Sequence, residues 1–301
     1  MSIEKHHDWK GIASDCYPCS INQAKAASRL AGLDEEQTRR IISVAETELK
    51  NSRTTPILVQ HIVRRVTDAI ICEKEESPDF DIYREIKRQS NDLALSSVGK
   101  FQKIIDGSSS PLEKAIQIAS AANIIDFGAN HSVDVEEELR SLSDIAFDCY
   151  NITEFRNRLA GSSTLLYLCD NCGEIVFDMP LIREIQSEYP DIRITAVFRD
   201  KAIINDATLE DAEAVGFTSL VPCISSGSVY PGTVLPETSN EFRKLYDSAD
   251  IIISKGQGNF ETLLPTGDKR IFFLLRIKCE YMAQLSGVKK DYLVLMQGQE
   301  K

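Results

Sequence analysis

Apolar positions in the first half of the chain recur at the spacing of one helix face. In "SINQAKAASRLAGL", Ile21, Ala24, Ala27 and Leu30 form a stripe, with Gly32 near its end. "DEEQTRRIISVAETELKN" carries acids in its first turn and Ile41, Ile42, Ala45 and Leu49 at helical spacing. Thr54 and Thr55 precede Pro56, which predicts a helix start at "PILVQHIVRRVTDAIIC". The helical pattern resumes in "FDIYREIKRQSNDLALSSVGKFQKII". It continues past the breaker "DGSSSP" in "LEKAIQIASAANII", and again in "VEEELRSLSDIAF".

Near Gly161 the pattern changes. "STLLYLCD", "DIRITAVFRD", "DIIISKG" and "DYLVLMQG" are short, nearly all-apolar runs rich in β-formers. Helical stretches lie between them: "MPLIREIQSEY", "TLEDAEAVG", "NEFRKLYDSA" and "IKCEYMAQLSG". Strands alternating with helices predict a largely parallel sheet buried on both faces. The expected fold is therefore α/β. A helical portion, residues 1–160, forms a domain or cap on a three-layer α/β/α portion, residues 161–301. No fixed-period repeat is visible.

Composition narrows the class. The chain has 301 residues, 43% hydrophobic and 27% charged, enough for a real core. Its longest apolar runs, such as "IFFLL", fall far short of the ~20 residues of a membrane span. "MSIEKHHDWKG" does not read as a secretory leader, so a cytoplasmic protein is expected. The formal charge of −12, without a dense Lys/Arg run, argues against nucleic acid as partner. An anionic substrate would need positive charge supplied at the site itself. Oligomeric state is not legible.

In an open parallel sheet, ligands bind beyond the carboxyl ends of the strands. Three such ends carry chemistry here: Asp170-Asn171-Cys172-Gly173-Glu174, then Asn205-Asp206, then Lys255-Gly256-Gln257-Gly258-Asn259-Phe260-Glu261. Singly, each reads as well as a turn or a helix cap. Together they point to an oxygen-ligand site for a hard divalent cation such as Mg²⁺ or Mn²⁺. Lys255 would hold a phosphate oxygen. Gly256 and Gly258 would let backbone N–H groups approach the anion.

These blocks resemble the damage-control phosphatases, a family first grouped as domain of unknown function 89. "DNCGEIVFD", "INDAT" and "KGQGNFETL" are similar to its signature blocks. "AANIIDFG" resembles its G-N-x-I-D block, although Ala122 stands where Gly is usual. "DCYPCSINQA" is similar to the Cys-pair opening of the prokaryotic branch, and "LLRIKCEYMAQLSGV" to a late K-C block. The resemblance implies a metal held by Asp170, Asn171 and Asp206, with Mg²⁺, Mn²⁺, Co²⁺ or Ni²⁺ as candidates. It implies that Lys255 contacts substrate phosphate and that Asn123 and Asp126 reach the cleft from the helical part. Glu174 and Glu261 would orient a ligand or water, or brace a loop. Asp170, Asp206 and Lys255 are the expected catalytic set. The implied activity is hydrolysis of small phosphate esters, either sugar phosphates or damaged phosphometabolites.

Two rival readings stay open. An S-adenosylmethionine- or nucleotide-dependent transferase would use the same layers, but the first strand end lacks G-x-G-x-x-G. A non-catalytic phosphometabolite-binding protein would keep the pocket. Of eight cysteines, Cys16 and Cys19 form a C-x-x-C pair open to a second metal or a redox role, or to none. Cys169 and Cys172 form another, with Cys169 expected inside the sheet. His61 reads as an ordinary helix histidine.

Overall fold

A computed structural model describes residues 12–122 and 146–299. Five helices open the described chain: α1 (Cys16–Leu30), α2 (Glu35–Asn51), α3 (Val59–Glu73), α4 (Arg84–Asp106) and α5 (Pro111–Ala121). Strand β1 (Phe147–Tyr150) and α6 (Ile152–Ala160) follow. Next come β2 (Thr164–Leu168), α7 (Glu174–Glu188), β3 (Arg193–Phe198), α8 (Leu209–Ala214) and β4 (Cys223–Ser225). The chain continues through α9 (Asn240–Ser248), β5 (Ile251–Lys255), α10 (Gly256–Leu263), β6 (Ile271–Arg276), α11 (Glu280–Ser286) and β7 (Leu293–Gln297). Among the described residues, no helix is long and apolar enough to cross a membrane.

The seven strands form one sheet in the order β1-β7-β6-β5-β2-β3-β4. All neighbours pair in parallel except β6 and β7, which run antiparallel. The mixed α/β architecture with a mostly parallel sheet is thus present as expected. From β2 the chain moves outward to β3 and β4, then returns to the other side of β2 as β5. The strand order therefore switches direction between β2 and β5, and a ligand crevice opens at such a point. "IFFLLR", not assigned to a strand from its pattern, is central strand β6.

Side chains alternate across the sheet with period two. Leu165 and Tyr167 of β2 face one core with Ile194, Ala196, Ile251, Ile253, Phe272 and Leu274. Leu166 and Leu168 face the other with Val197, Ile252, Phe273 and Leu275. Helices α4 to α8 cover the first face, where Phe101 meets Phe177 edge-on at 4.6 Å. Helices α9 to α11 cover the second, with Phe260 against Phe273 at 4.9 Å.

The amino-terminal helices divide between two cores. Helices α1 to α3 bury Ala24, Ala27, Ile41, Ala45, Leu49, Ile62 and Val66 among themselves. Helices α4 and α5 instead belong to the sheet's own layer. Strand β1 and α6 join that layer upstream of residue 161. The predicted helix "VEEELRSLSDIAF" lies mostly outside the described residues, and its last residue, Phe147, is in β1. Helix α3 starts at Val59 and not at Pro56, because the His61 ring accepts the Leu58 N–H at Nδ1 (3.0 Å).

Candidate active site

The cleft beyond the carboxyl ends of β2 and β5 encloses about 960 Å³. Its floor carries Asp170, Asn171, Glu174, Asn205 and Asp206. Its far wall comes from α1 and α3 through Cys16, Cys19, Gln23 and Gln60, and its rim carries Lys278, Cys279 and Lys290. Of the residues expected from sequence, Asp170, Asn171, Glu174, Asp206, Gly258, Glu261, Cys16 and Cys19 all line this one space. Asn123 and Asp126 lie outside the described residues; Ala122, just ahead of them, is buried and lines the cleft.

Backbone pairing explains why two distant acids meet. Asn171 bridges Asp206 in antiparallel fashion, the Cys172 N–H donates to Asn205 O (2.9 Å), and the Ala207 N–H donates to Asp170 O (2.8 Å). The loop after β3 is thereby stitched to the loop after β2. Asn91 of α4 accepts the Gly173 N–H at 2.7 Å, fixing the turn into α7. Gly256, with φ of +76°, lets the start of α10 lie against the Asp170 carboxylate, where a methyl group would overlap its oxygens. Gly258 packs against the backbone of Pro231 and Gly232.

The side chains carry surplus negative charge in a dry place. Asn171 Nδ2 donates to Asp170 Oδ2 (3.0 Å) and to Glu174 Oε1 (2.9 Å), which leaves its carbonyl oxygen as a donor atom for a cation. Arg199, missed in the sequence, sits beneath them at 2% exposure. Its Nε donates to Asp206 Oδ2 (2.7 Å), its Nη2 donates to Asn259 Oδ1 (3.1 Å), and the same Nη2 stands 3.8 Å from Asp170 Oδ1. Burial, then Asp206 and Glu174, hold the Asp170 carboxyl well above the usual carboxylate range. Burial also raises Asp206, although Arg199 and the Gly232 N–H oppose it.

Lys255 is not on the cleft wall. It is buried, with Nζ 2.6 Å from Asp178 Oδ1 and 3.7 Å from Glu174 Oε2. Tyr167 donates to the same Asp178 oxygen at 2.7 Å. Burial works against the Lys255 ammonium, but Asp178, Glu174 and Asp170 outweigh it and raise its pKa. Here this lysine faces acids from below, while among the described residues the cations that line the cleft are Lys278 and Lys290. The charge of Lys278 acts on both Asp170 and Glu174.

Asn259 and Gly256 likewise work behind the wall. Asn259 is fully buried, donating to Cys169 O (3.2 Å) and Lys255 O (2.8 Å) and accepting from Thr233 (2.8 Å). Glu261 is held by Gln60 (2.7 Å) and Gln257 (2.9 Å), and so ties α3 to α10. Cys169 packs into the sheet core as expected, and Cys172 is buried beside Asp211 and Lys87. His61 donates from Nε2 to Glu237 (2.8 Å), because its Nδ1 already accepts the Leu58 N–H.

The donor set fits a hard divalent ion. It is all oxygen and crowded with acids, with one guanidinium shared between Asp170 and Asp206. Among the described residues, no three His, Cys, Asp or Glu side chains are grouped to hold a metal ion. The set Asp170, Asn171 and Asp206 has two acids and one amide, and all three line the cleft. Arg199 could have been read from sequence as a lone cation ending an apolar strand.

The family model of the damage-control phosphatase ARMT1-like domain matches residues 12–294. A Methanocaldococcus jannaschii protein described as uncharacterized is 33% identical, the match covering 98% of each chain. A damage-control phosphatase of Pyrococcus horikoshii is 32% identical over 96% of this chain and 99% of its own. One of Archaeoglobus fulgidus is 31% identical over 94% and 98%. The crystal structure of a DUF89 family protein from P. horikoshii superposes with a TM-score of 0.84 at 32% identity. That match covers 96% of this chain and 99% of the other.

Proposed function

The chain belongs to the damage-control phosphatase ARMT1-like domain family, and from that premise we propose that it is a metal-dependent phosphatase of small phosphomonoesters. The observation that carries the proposal is the meeting of Asp170, Asn171 and Asp206 on the floor of one cleft whose rim holds Lys278. Sugar phosphates and damaged phosphometabolites are the proposed substrates.

In this reading Asp170, Asn171 and Asp206 would hold Mg²⁺, Mn²⁺, Co²⁺ or Ni²⁺. Such an ion supplies Lewis acidity toward a phosphoryl oxygen and makes a nearby water more acidic. Lys278 binds a second phosphoryl oxygen as a point charge, the role first expected of Lys255. Lys255 instead opposes the rise that burial imposes on the Glu174 and Asp178 carboxyls and holds Asp178 in place. Asp170 and Asp206 are buried, which strengthens their attraction for a cation. Glu261, held by Gln60 and Gln257, offers acceptor oxygens to hydroxyls on the leaving group. Water attacks phosphorus directly, and the ester oxygen leaves.

The test is to strip the protein of metal and assay a panel of phosphomonoesters with each of the four ions restored. Metal-dependent release of inorganic phosphate is expected, and its loss in Asp206→Ala with the fold intact by circular dichroism. A wild type that binds metal yet hydrolyses none of the esters would instead be a phosphometabolite-binding protein.

A further inference from the structure

Cys16 and Cys19 are left unused by the phosphatase reading. Cys16 opens α1 and Cys19 stands three residues on, so both lie on one side of the helix's first turn. Both line the cleft, alongside Asp15, Ser20 and Gln23 of the same segment. Both are free thiols, Cys19 exposed and Cys16 half-buried.

We propose that Cys16 and Cys19 form a reversible disulfide, made by a peroxide and undone by a dithiol, and that its formation reshapes the cleft wall and weakens substrate binding. The bond itself does not depend on the phosphatase reading, whereas its effect on substrate does.

The spacing favours this bond. Helix positions three apart hold their Cβ atoms about 5–6 Å from each other, and a disulfide needs about 3.5–4.5 Å. The first turn must therefore tighten by an ångström or so, and little opposes that. Its N–H groups have no partners within the helix, and Pro18, between the two cysteines, has no N–H to lose. Asp15 makes no side-chain cap bond, and the turn is held by Cys16 N–H to Ala13 O (3.0 Å), Tyr17 N–H to Ser14 O (3.1 Å), the Ser20 hydroxyl to Cys16 O (2.9 Å) and the Tyr17 hydroxyl to Leu49 O (3.3 Å), none of which fixes either sulfur. Tightening moves residues that form the cleft wall, which is how a local bond reaches the substrate.

The chemistry balances without a further reactant. The exposed Cys19 sulfur attacks one peroxide oxygen; an S–O bond forms, the O–O bond breaks and water leaves. The Cys16 sulfur then attacks the Cys19 sulfur; the S–S bond forms, the S–O bond breaks, and hydroxide departs as water with the Cys16 proton. Two thiols lose two electrons, and one peroxide becomes two waters. Burial, then Glu261 and Cys279, push the Cys16 thiol up to about 12. A neutral disulfide sits beside those groups without the penalty that a thiolate would meet.

The experiment treats the full chain with hydrogen peroxide and maps its tryptic peptides. Peptide 11–25 holds both cysteines, and it should become lighter by two hydrogens. In parallel, KM for the best phosphomonoester should rise several-fold and return after dithiothreitol. In Cys19→Ser, peroxide should leave KM where it was. Mapping a bond between peptides 11–25 and 279–289 would overturn the pairing, as would oxidation of Cys19 without any disulfide. A mapped 16–19 bond with unchanged KM would overturn the effect on substrate. A mapped bond in a protein inert on all esters would retain the bond and remove the phosphatase reading instead.

Discussion

Arg199 places Nε 2.7 Å from Asp206 Oδ2, inside the protein and directly under the proposed metal floor. The same guanidinium lies 3.8 Å from Asp170 and so serves two acids that repel each other. In Arg199→Met, both carboxylates would lose their buried counter-charge. Breaking a buried pair from one side costs about 3–5 kcal/mol. Urea unfolding of the metal-free variant should show a loss of that order. Added Mn²⁺ should restore more stability to the variant than it adds to wild type.

Removing Lys278, exposed on the cleft rim, tests phosphate recognition. A hydrogen bond to a charged group contributes about 1.5–3 kcal/mol, or roughly 10- to 150-fold in rate terms. Steady-state kinetics of Lys278→Ala should therefore show kcat/KM lowered by that factor, with an unchanged melting temperature. An unaffected kcat/KM would return the phosphate contact to another group.

Lys255→Met should behave differently, because the lysine is buried against Asp178. Its loss strands a buried carboxylate, and a destabilisation of about 3–5 kcal/mol is expected. The double variant Lys255→Met, Asp178→Leu should recover part of it, as measured by chemical denaturation. A phosphate-contacting lysine would show no such recovery.

Divalent ions should stabilise the native state by mass action, about 2.7 kcal/mol at roughly a hundred times the dissociation constant. Thermal melts with and without Mn²⁺ should separate in wild type and nearly coincide in Asp170→Asn. Gly256→Ala should likewise lose the ion's effect, since its methyl group would overlap the Asp170 carboxylate.

Asp250, at the opposite end of the sheet, sets a pH dependence of its own. The Ser163 N–H, then the Thr164 hydroxyl and N–H, hold its carboxyl below the usual range. A depressed folded pKa gives stability that is fully present above the unfolded value and disappears as pH falls through the folded one. Asp250→Asn should thus be less stable than wild type near pH ~6, above the ordinary Asp value. The gap should close toward pH ~3, below that value. Unfolding free energies measured across that range check it.

The alternation of elements, and the strand ends where chemistry gathers, are written in the apolar pattern of the chain. "LLYLC" and "DIIIS" could be read as strands because a sheet buried on both faces demands unbroken apolar runs. The strand-end rule drew attention to the blocks that hold Asp170, Asn171 and Asp206, and the family resemblance is what singled out those three as an expected metal set. The orientation of each strand-end lysine depended on packing: Lys278 lines the cleft, whereas Lys255 is buried. Lys255 and Lys278 both lie at strand ends, but pleat parity and Asp178 turn the first inward. Lys278 was missed because "IFFLLR" was not read as a strand, and its carboxyl end was therefore not counted among the ends that meet a ligand. Arg199 was missed because residue type does not show which way a strand-end side chain points. The separate core of α1–α3 depended on packing partners distant in sequence. So did the place of Cys16 and Cys19 on the cleft wall, where only the folded chain brings α1 opposite Glu261.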